Sequence, residues 1–179
     1  GASTIKMSEL KAGDSFRDFV GPLGCPSEFV HEDIEELKKK KMVFVDVYTS
    51  WCGPCRWMSE EVLQTPEAAT YFDKHFVCFK IDAEKGDGVE FAKKYDVHAY
   101  PTFLMFLPDG TLQHKVVGAD TLKLFIPRVE RGLKERTSWK YLMEKYVKGT
   151  LQKREIPVAI QVFEEAHMKK EVKGVTDSL

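Results

Sequence analysis

The chain has no apolar run near the ~20 residues that a membrane-spanning helix requires. Its greasiest stretch, TFLMFL at residues 102–107, has only the length of a strand. Excess charge is missing too: 27 Lys+Arg against 28 Asp+Glu leave a formal net charge of −1, which argues against general nucleic-acid binding. Cysteine is scarce. Four thiols (Cys25, Cys52, Cys55 and Cys78) in 179 residues do not form the dense framework of a small secreted domain. A hydrophobic content of 43% supplies a core without covalent staples. Metal-ligand spacing is also lacking. A zinc site needs about four ligands, and here one close cysteine pair stands beside His31, His75, His98, His114 and His167, which are scattered along the chain. Those histidines read as surface or packing residues, and no metal is expected. No signal peptide is read in the sequence, which starts at Gly1 rather than Met; a cleaved or trimmed export signal is compatible with that start, and composition alone leaves the compartment open.

What is present divides unevenly. Residues 1–120 carry 14 Lys+Arg and 20 Asp+Glu, a balance of −6, whereas residues 121–179 carry 13 and 8, a balance of +5. The expected organisation has three parts: an irregular lead-in over 1–26, an α/β domain over 27–136, and a helical hairpin over 137–179. Glycine and proline break the lead-in at Gly13, Gly21, Pro22, Gly24 and Pro26. Ser27 then caps a helix with Val30, Ile34 and Leu37 on its inner face, and its terminal lysines complement the dipole. MVFVDVY at 42–48 and FVCFKID at 76–82 have the near-continuous apolar pattern of strands buried on both faces. Between them lie a helical stretch to about Leu63 and a short helix opened by Thr65-Pro66; a further helix covers 89–95. Strands at 102–107 and 112–117 flank Pro108-Asp109-Gly110-Thr111, a hairpin signal. Alternating strands and helices with a late hairpin predict a layered α/β domain with a mixed sheet. Leu122, Phe125, Val129 and Leu133 mark an amphipathic helix that Pro127 should kink or shift. Two more helices follow, one with Trp139, Leu142, Met143 and Tyr146 on its face and ended by Gly149, the other opened by Pro157.

The chemistry concentrates in TSWCGPCRW, residues 49–57. A metal clip lacks further ligands. A structural disulfide across two residues closes a tiny loop and stabilises little through chain entropy. A dithiol that opens and closes is the favoured reading. A buried strand runs into a short loop and then a helix that begins near Cys52. Unpaired backbone N–H groups and the dipole at such a helix start stabilise a thiolate, the attacking species in thiol–disulfide exchange. Cys55, one turn on, is placed to attack the mixed disulfide that results. Pro54 helps to set the turn between them.

WCGPC at 51–55, Asp46 in the preceding strand, Tyr100-Pro101-Thr102 downstream and Val117-Gly118-Ala119 after the hairpin together resemble the thioredoxin family, over residues 33–133. The resemblance implies a thioredoxin fold and thiol–disulfide oxidoreductase activity. It casts Cys52 as nucleophile, Cys55 as resolving thiol, Pro101 as a cis-proline facing the pair, and Asp46 as proton acceptor for Cys55. Burial raises a carboxylate pKa toward neutrality, which suits that exchange. Trp51, Gly53, Pro54, Tyr100, Pro101 and Gly118 become the surface that meets a partner. No cofactor is implied beyond the Cys52–Cys55 couple. The partners implied are protein disulfides and an upstream electron donor, and the chain is expected to act as a monomer.

Three departures qualify the match. Cys78 takes the second-strand position where many thioredoxins hold a lysine near the buried carboxylate, and it reads as an inert buried thiol. Tyr100 is bulkier than the small aliphatic usual before the cis-proline. The lead-in, Cys25 and the tail have no counterpart in a plain thioredoxin; the pattern instead resembles exported bacterial thioredoxin-like proteins with helical extensions, so a periplasmic location is expected over a cytoplasmic one. Gly-Pro between the cysteines is the reductase version of the motif. A disulfide isomerase is the alternative enzyme reading. A partner-binding adaptor, motivated by the basic tail with Trp139, Tyr141 and Tyr146, is the alternative outside catalysis.

Overall fold

The computed structural model describes residues 4–6, 42–107 and 110–179; of residues 4–6 and of Val77 only the backbone is described. The expected Ser27-capped helix, Cys25 and the Pro108-Asp109 corner lie outside these residues. In chain order the described elements are β1 (Thr4–Lys6), β2 (Met42–Tyr48), α1 (Gly53–Trp57) continued by a π-helical segment (Met58–Leu63), α2 (Pro66–His75), β3 (Phe76–Asp82), α3 (Gly88–Lys94), β4 (Thr102–Phe106), β5 (Leu112–Val117), α4 (Leu122–Leu133), α5 (Trp139–Lys148), α6 (Ile156–Glu165) and α7 (Lys169–Asp177). The strands form one mixed sheet in the order β1-β3-β2-β4-β5. β2 pairs parallel to β3 and antiparallel to β4, and β4 and β5 form the expected antiparallel pair.

Alternation along β2 explains the layering, because successive side chains of a strand point to opposite faces. Val43, Val45 and Val47 join Phe79, Ile81 and Phe91 in one buried cluster. Phe44 points the other way into a second cluster with Met58, Phe72, Phe76, Phe103 and Phe125. Asp46 lies on this second face. Thr65 caps α2 as expected, its Oγ1 accepting from the Ala68 N–H at 3.3 Å.

Three expectations need correction. Part of the lead-in read as irregular is a strand: β1 pairs parallel with β3, Thr4 opposite Cys78. Three residues are too few to show a period. Pro127 does not delimit α4, which runs through it; Phe125 and Val129, both fully buried, anchor the helix on either side. The tail is three helices rather than a hairpin. α7 was not legible because it carries few apolar residues, yet Val172 and Val175 join Leu142, Val162 and Phe163 in a third core. Gly174 permits this: a Cβ there would stand 2.0 Å from the Tyr146 hydroxyl. His114 is a packing residue of the kind expected, with hydrogen bonds added.

His114 is fully buried on β5 and ties three elements together. Its Nε2–H donates to the Arg128 carbonyl of α4 at 2.9 Å, and its Nδ1 accepts from the Trp139 N–H at the start of α5 at 3.0 Å. That pairing requires a neutral ring. Burial pushes its pKa down to about 4, with Arg131 adding to the effect. A bidentate ion pair from Arg131 to Glu165 joins α4 to α6 nearby.

The unfolded chain takes up a proton at His114 below pH 6.5, while the folded chain resists until about pH 4. Stability from this group is therefore intact above the upper limit and is lost on acidification, by up to about 1.4 kcal/mol per pH unit within the window. Urea unfolding of wild type and His114→Gln between pH 7 and 4 should show a steeper acid loss in wild type; parallel curves would remove His114 from the account.

Candidate active site

Cys52 is the N-cap of α1, with extended backbone dihedrals (φ −79°, ψ 108°) that let its side chain turn back over the first helical turn. The Cys55 N–H donates to Cys52 Sγ at 3.1 Å. A sulfur thus occupies the place where an Asp or Ser oxygen usually satisfies an orphan helix donor. Pro54 costs nothing here, because first-turn N–H groups have no intrahelical partner. Cys52 and Cys55 are joined as a disulfide, their Cα atoms 5.2 Å apart, and both are nearly buried.

The loop from Tyr100 to Thr102 closes over the pair. Tyr100–Pro101 is a cis peptide, and the Tyr100 carbonyl oxygen lies 3.7 Å from Cys52 Sγ. The Gly118 N–H donates to the Pro101 carbonyl at 2.8 Å, with Gly118 at φ 99°, a conformation that glycine adopts without a Cβ penalty. Gly53 and Pro54 sit on the outer rim. Trp51 is 67% exposed and held edge-on to Tyr100, with its Nε1–H donating to Glu84 Oε1 at 2.6 Å. Glu84, which sequence reasoning missed, fixes the orientation of the exposed indole.

Asp46 is buried on β2, and its Oδ1 has no hydrogen-bond partner among the described residues. Desolvation pushes its pKa up to about 7, against an opposing pull from Lys80. The lysine expected to be absent is therefore present, displaced along the strand. Asp46 is opposite Lys80 in the parallel register, whereas Cys78 is opposite Phe44 and lies in the apolar cluster. β2 and β3 are equally long and pair from their first residues, so the fifth residue of one faces the fifth of the other. Lys80 Nζ donates to Ser59 Oγ at 2.6 Å, and Gln64 Nε2 donates to the same oxygen at 3.0 Å. Cys55, Ser59, Gln64 and Lys80 border a cleft of about 230 Å³ on this side of the pair. No group of ligands suited to a metal ion occurs among the described residues.

Comparison with known proteins agrees with this geometry. The thioredoxin family model matches residues 27–130. This chain belongs to the thioredoxin family. Over 98 residues it is 43% identical to thioredoxin Y1, chloroplastic, of Arabidopsis thaliana, covering 55% of this chain and 54% of that protein. Over 90 residues it is 39% identical to thioredoxin-2 of Pyricularia oryzae, covering 50% and 48%. The chain thus spans about half the length of these curated relatives. Among solved structures, a candidate disulphide-isomerase from Bacteroides thetaiotaomicron aligns with a TM-score of 0.54 at 34% identity, over 75% of this chain and 97% of that one. The family features lie in the α/β part; α7 lies beyond the residues that the family model matches.

The Asp46 shift carries a sign. Above pH 4 the unfolded chain releases this proton, while the folded thioredoxin domain retains it up to about pH 7. Asp46 therefore destabilises the fold progressively as pH rises through that window, by roughly 2–4 kcal/mol in total. Asp46→Asn should gain stability relative to wild type from pH 4 to 7 and level off above. A pH-independent difference in urea midpoints would contradict the burial argument.

Proposed function

We propose that this chain is a thiol–disulfide oxidoreductase that reduces disulfide bonds in proteins. The observation that carries the reading is the Cys55 N–H aimed at Cys52 Sγ at 3.1 Å, in a site that also buries Asp46. With the pair reduced, the N–H and the helix start stabilise a Cys52 thiolate. This thiolate attacks one sulfur of a partner disulfide; a new S–S bond forms, the old one breaks, and the departing partner thiolate takes a proton from solvent. Asp46, ionised near neutral pH, accepts the Cys55 proton. The Cys55 thiolate then attacks Cys52 Sγ, leaving the Cys52–Cys55 disulfide and releasing the second partner thiolate, which takes up the proton that Asp46 gives back. Two electrons and two protons have passed to the partner, and an upstream dithiol donor returns them.

Several finer points belong to this reading. The Gly-Pro spacer supports the reducing direction, and the likeness to a candidate disulphide-isomerase supports isomerisation as the second reading. The helical-extension pattern shared with exported thioredoxin-like proteins supports work outside the cytoplasm, in the periplasm. The Cys52–Cys55 couple is the sole redox group the mechanism requires.

Reduction of insulin disulfides by the dithiol form should fall to background in Cys52→Ser. Cys55→Ser should instead accumulate a mixed disulfide with substrate, visible on non-reducing gels. Undiminished turnover by Cys52→Ser would end the proposal. Recovery of activity from scrambled ribonuclease, beyond that given by simple reduction, would favour the isomerase reading.

A further inference from the structure

The sheet does not end in solvent beyond the cis-proline loop. A cleft of about 630 Å³ opens there, walled on one side by the α3–β4 connection and β5 and on the other by the turn between α6 and α7. Its lining includes Ala99 and Thr102, which bracket Tyr100-Pro101, and Val117, which precedes Gly118. The cleft therefore continues directly from the loop whose carbonyl lies against Cys52. His167 makes the join from the extension's side. At φ 56° it reverses the chain between α6 and α7, and its Nε2 stands 3.6 Å from where a Cβ on Gly118 would lie.

The charge along this groove is unequal at its two ends. Around Trp51 the charges offset one another: Glu84 accepts from the Trp51 indole, while the buried Asp82 accepts from the Glu84 N–H and pairs with the exposed Lys85 at 3.9 Å. In the cleft, Lys94, Lys115, Lys169 and Lys170 face Asp96 and Glu171. Asp96 is already engaged by His98 at 2.5 Å, and Glu171 sits in the first turn of α7, where an acid complements the helix dipole. Lys169 and Lys170 occupy that same first turn, the end at which a cation opposes the dipole; both are exposed, and neither forms an ion pair among the described residues. This arrangement does nothing for the helix. It concentrates positive potential on the cleft wall, where it attracts anions.

We infer that this cleft is the distal half of the substrate groove and that it selects protein disulfides flanked by an acidic peptide segment. The inference deepens the oxidoreductase reading and rests on it. An extended segment leaving Cys52 over the cis-proline loop enters the cleft, its Asp or Glu side chains meeting Lys169 and Lys170. The Trp51 end offers the same segment no comparable excess of positive charge, so the charge pattern sets direction as well as preference.

The test compares peptides with one intramolecular disulfide and a four-residue Glu/Asp segment on either side of it, against Gln/Asn isosteres. Wild type should reduce one of the acidic peptides with kcat/KM about fivefold or more above its neutral isostere at low salt, the ratio shrinking above ~0.3 M salt. Lys169→Glu/Lys170→Glu should bring the ratio to about one or below. Lys148→Glu/Lys153→Glu, the same charge change outside the cleft, should preserve it. A wild-type ratio near one in both placements, or an unchanged ratio in the cleft variant, overturns the inference while leaving the oxidoreductase reading intact. If no peptide is reduced, that reading fails, and anisotropy of a fluorescent, cysteine-free acidic peptide decides. Binding weakened only by the cleft variant upholds the site; equal binding to all three proteins overturns it.

Discussion

A carboxylate in the interior of a sheet is the constraint around which this molecule is arranged. Asp46 sits on β2 between β3 and β4, on a face otherwise filled by Phe44, Phe72, Phe103 and Phe125. Neither neighbouring strand can yield to relieve it, because a one-residue slip would turn every side chain of β2 to the wrong face. The carboxyl therefore stays desolvated and holds its proton to about pH 7. Lys80, directly opposite, draws it back toward ionisation without burying its own ammonium, which reaches Ser59 at the cleft. A fold selected for stability alone would place an apolar residue here. The cost is intelligible if the buried base serves the thiol that ends up beside the cleft.

The two sulfurs acquire different roles from the same turn of backbone. β2 ends at Tyr48, and four residues later Cys52 caps α1. Its sulfur receives a backbone N–H, whereas Cys55 lies within the helix and supplies that donor. In the proposed mechanism the first sulfur, once reduced, is stabilised as an anion by this local geometry, and the second relies on Asp46 as its base. On that proposal the asymmetry sets the attacking thiol apart from the resolving one, and it follows from the spacing of three. The π segment that continues α1 carries Ser59 to Lys80 and Gln64, so the register shift in the helix shapes the polar side of the cleft.

Much of this was legible before any coordinates. The bounds of β2 and β3 follow from near-continuous apolar runs, β5 follows from the hairpin signal before it, and the motif WCGPC with Asp46, Pro101 and Gly118 marks the site. What escaped shares one cause: it depends on pairing across the chain. Lys80 faces Asp46 only because two strands run parallel in register, and no local pattern announces that. β1 is three residues added to an edge. His114 looks like any polar residue in a half-exposed strand until α4 and α5 close over it. α7 has too little apolar surface to reveal its helix, yet Gly174 lets it lie against Tyr146.

The extension changes what a thioredoxin-type sheet exposes. β5 is an edge strand, and an uncovered edge invites pairing with other chains. Here α5 and α6 pack against it, fixed through His114, the Arg131–Glu165 pair and the contact of the Trp139 indole N–H with Met168 Sδ at 2.9 Å. Helices that cover an edge this way need only an apolar inner face. The turn after α6 does more, since it carries His167 to Gly118 and two lysines to the wrong end of a helix dipole. Edge protection accounts for the helices but not for that turn. The feature left over is the one that adjoins the reactive disulfide, and there a charged wall alters which segments approach Cys52 without touching its chemistry.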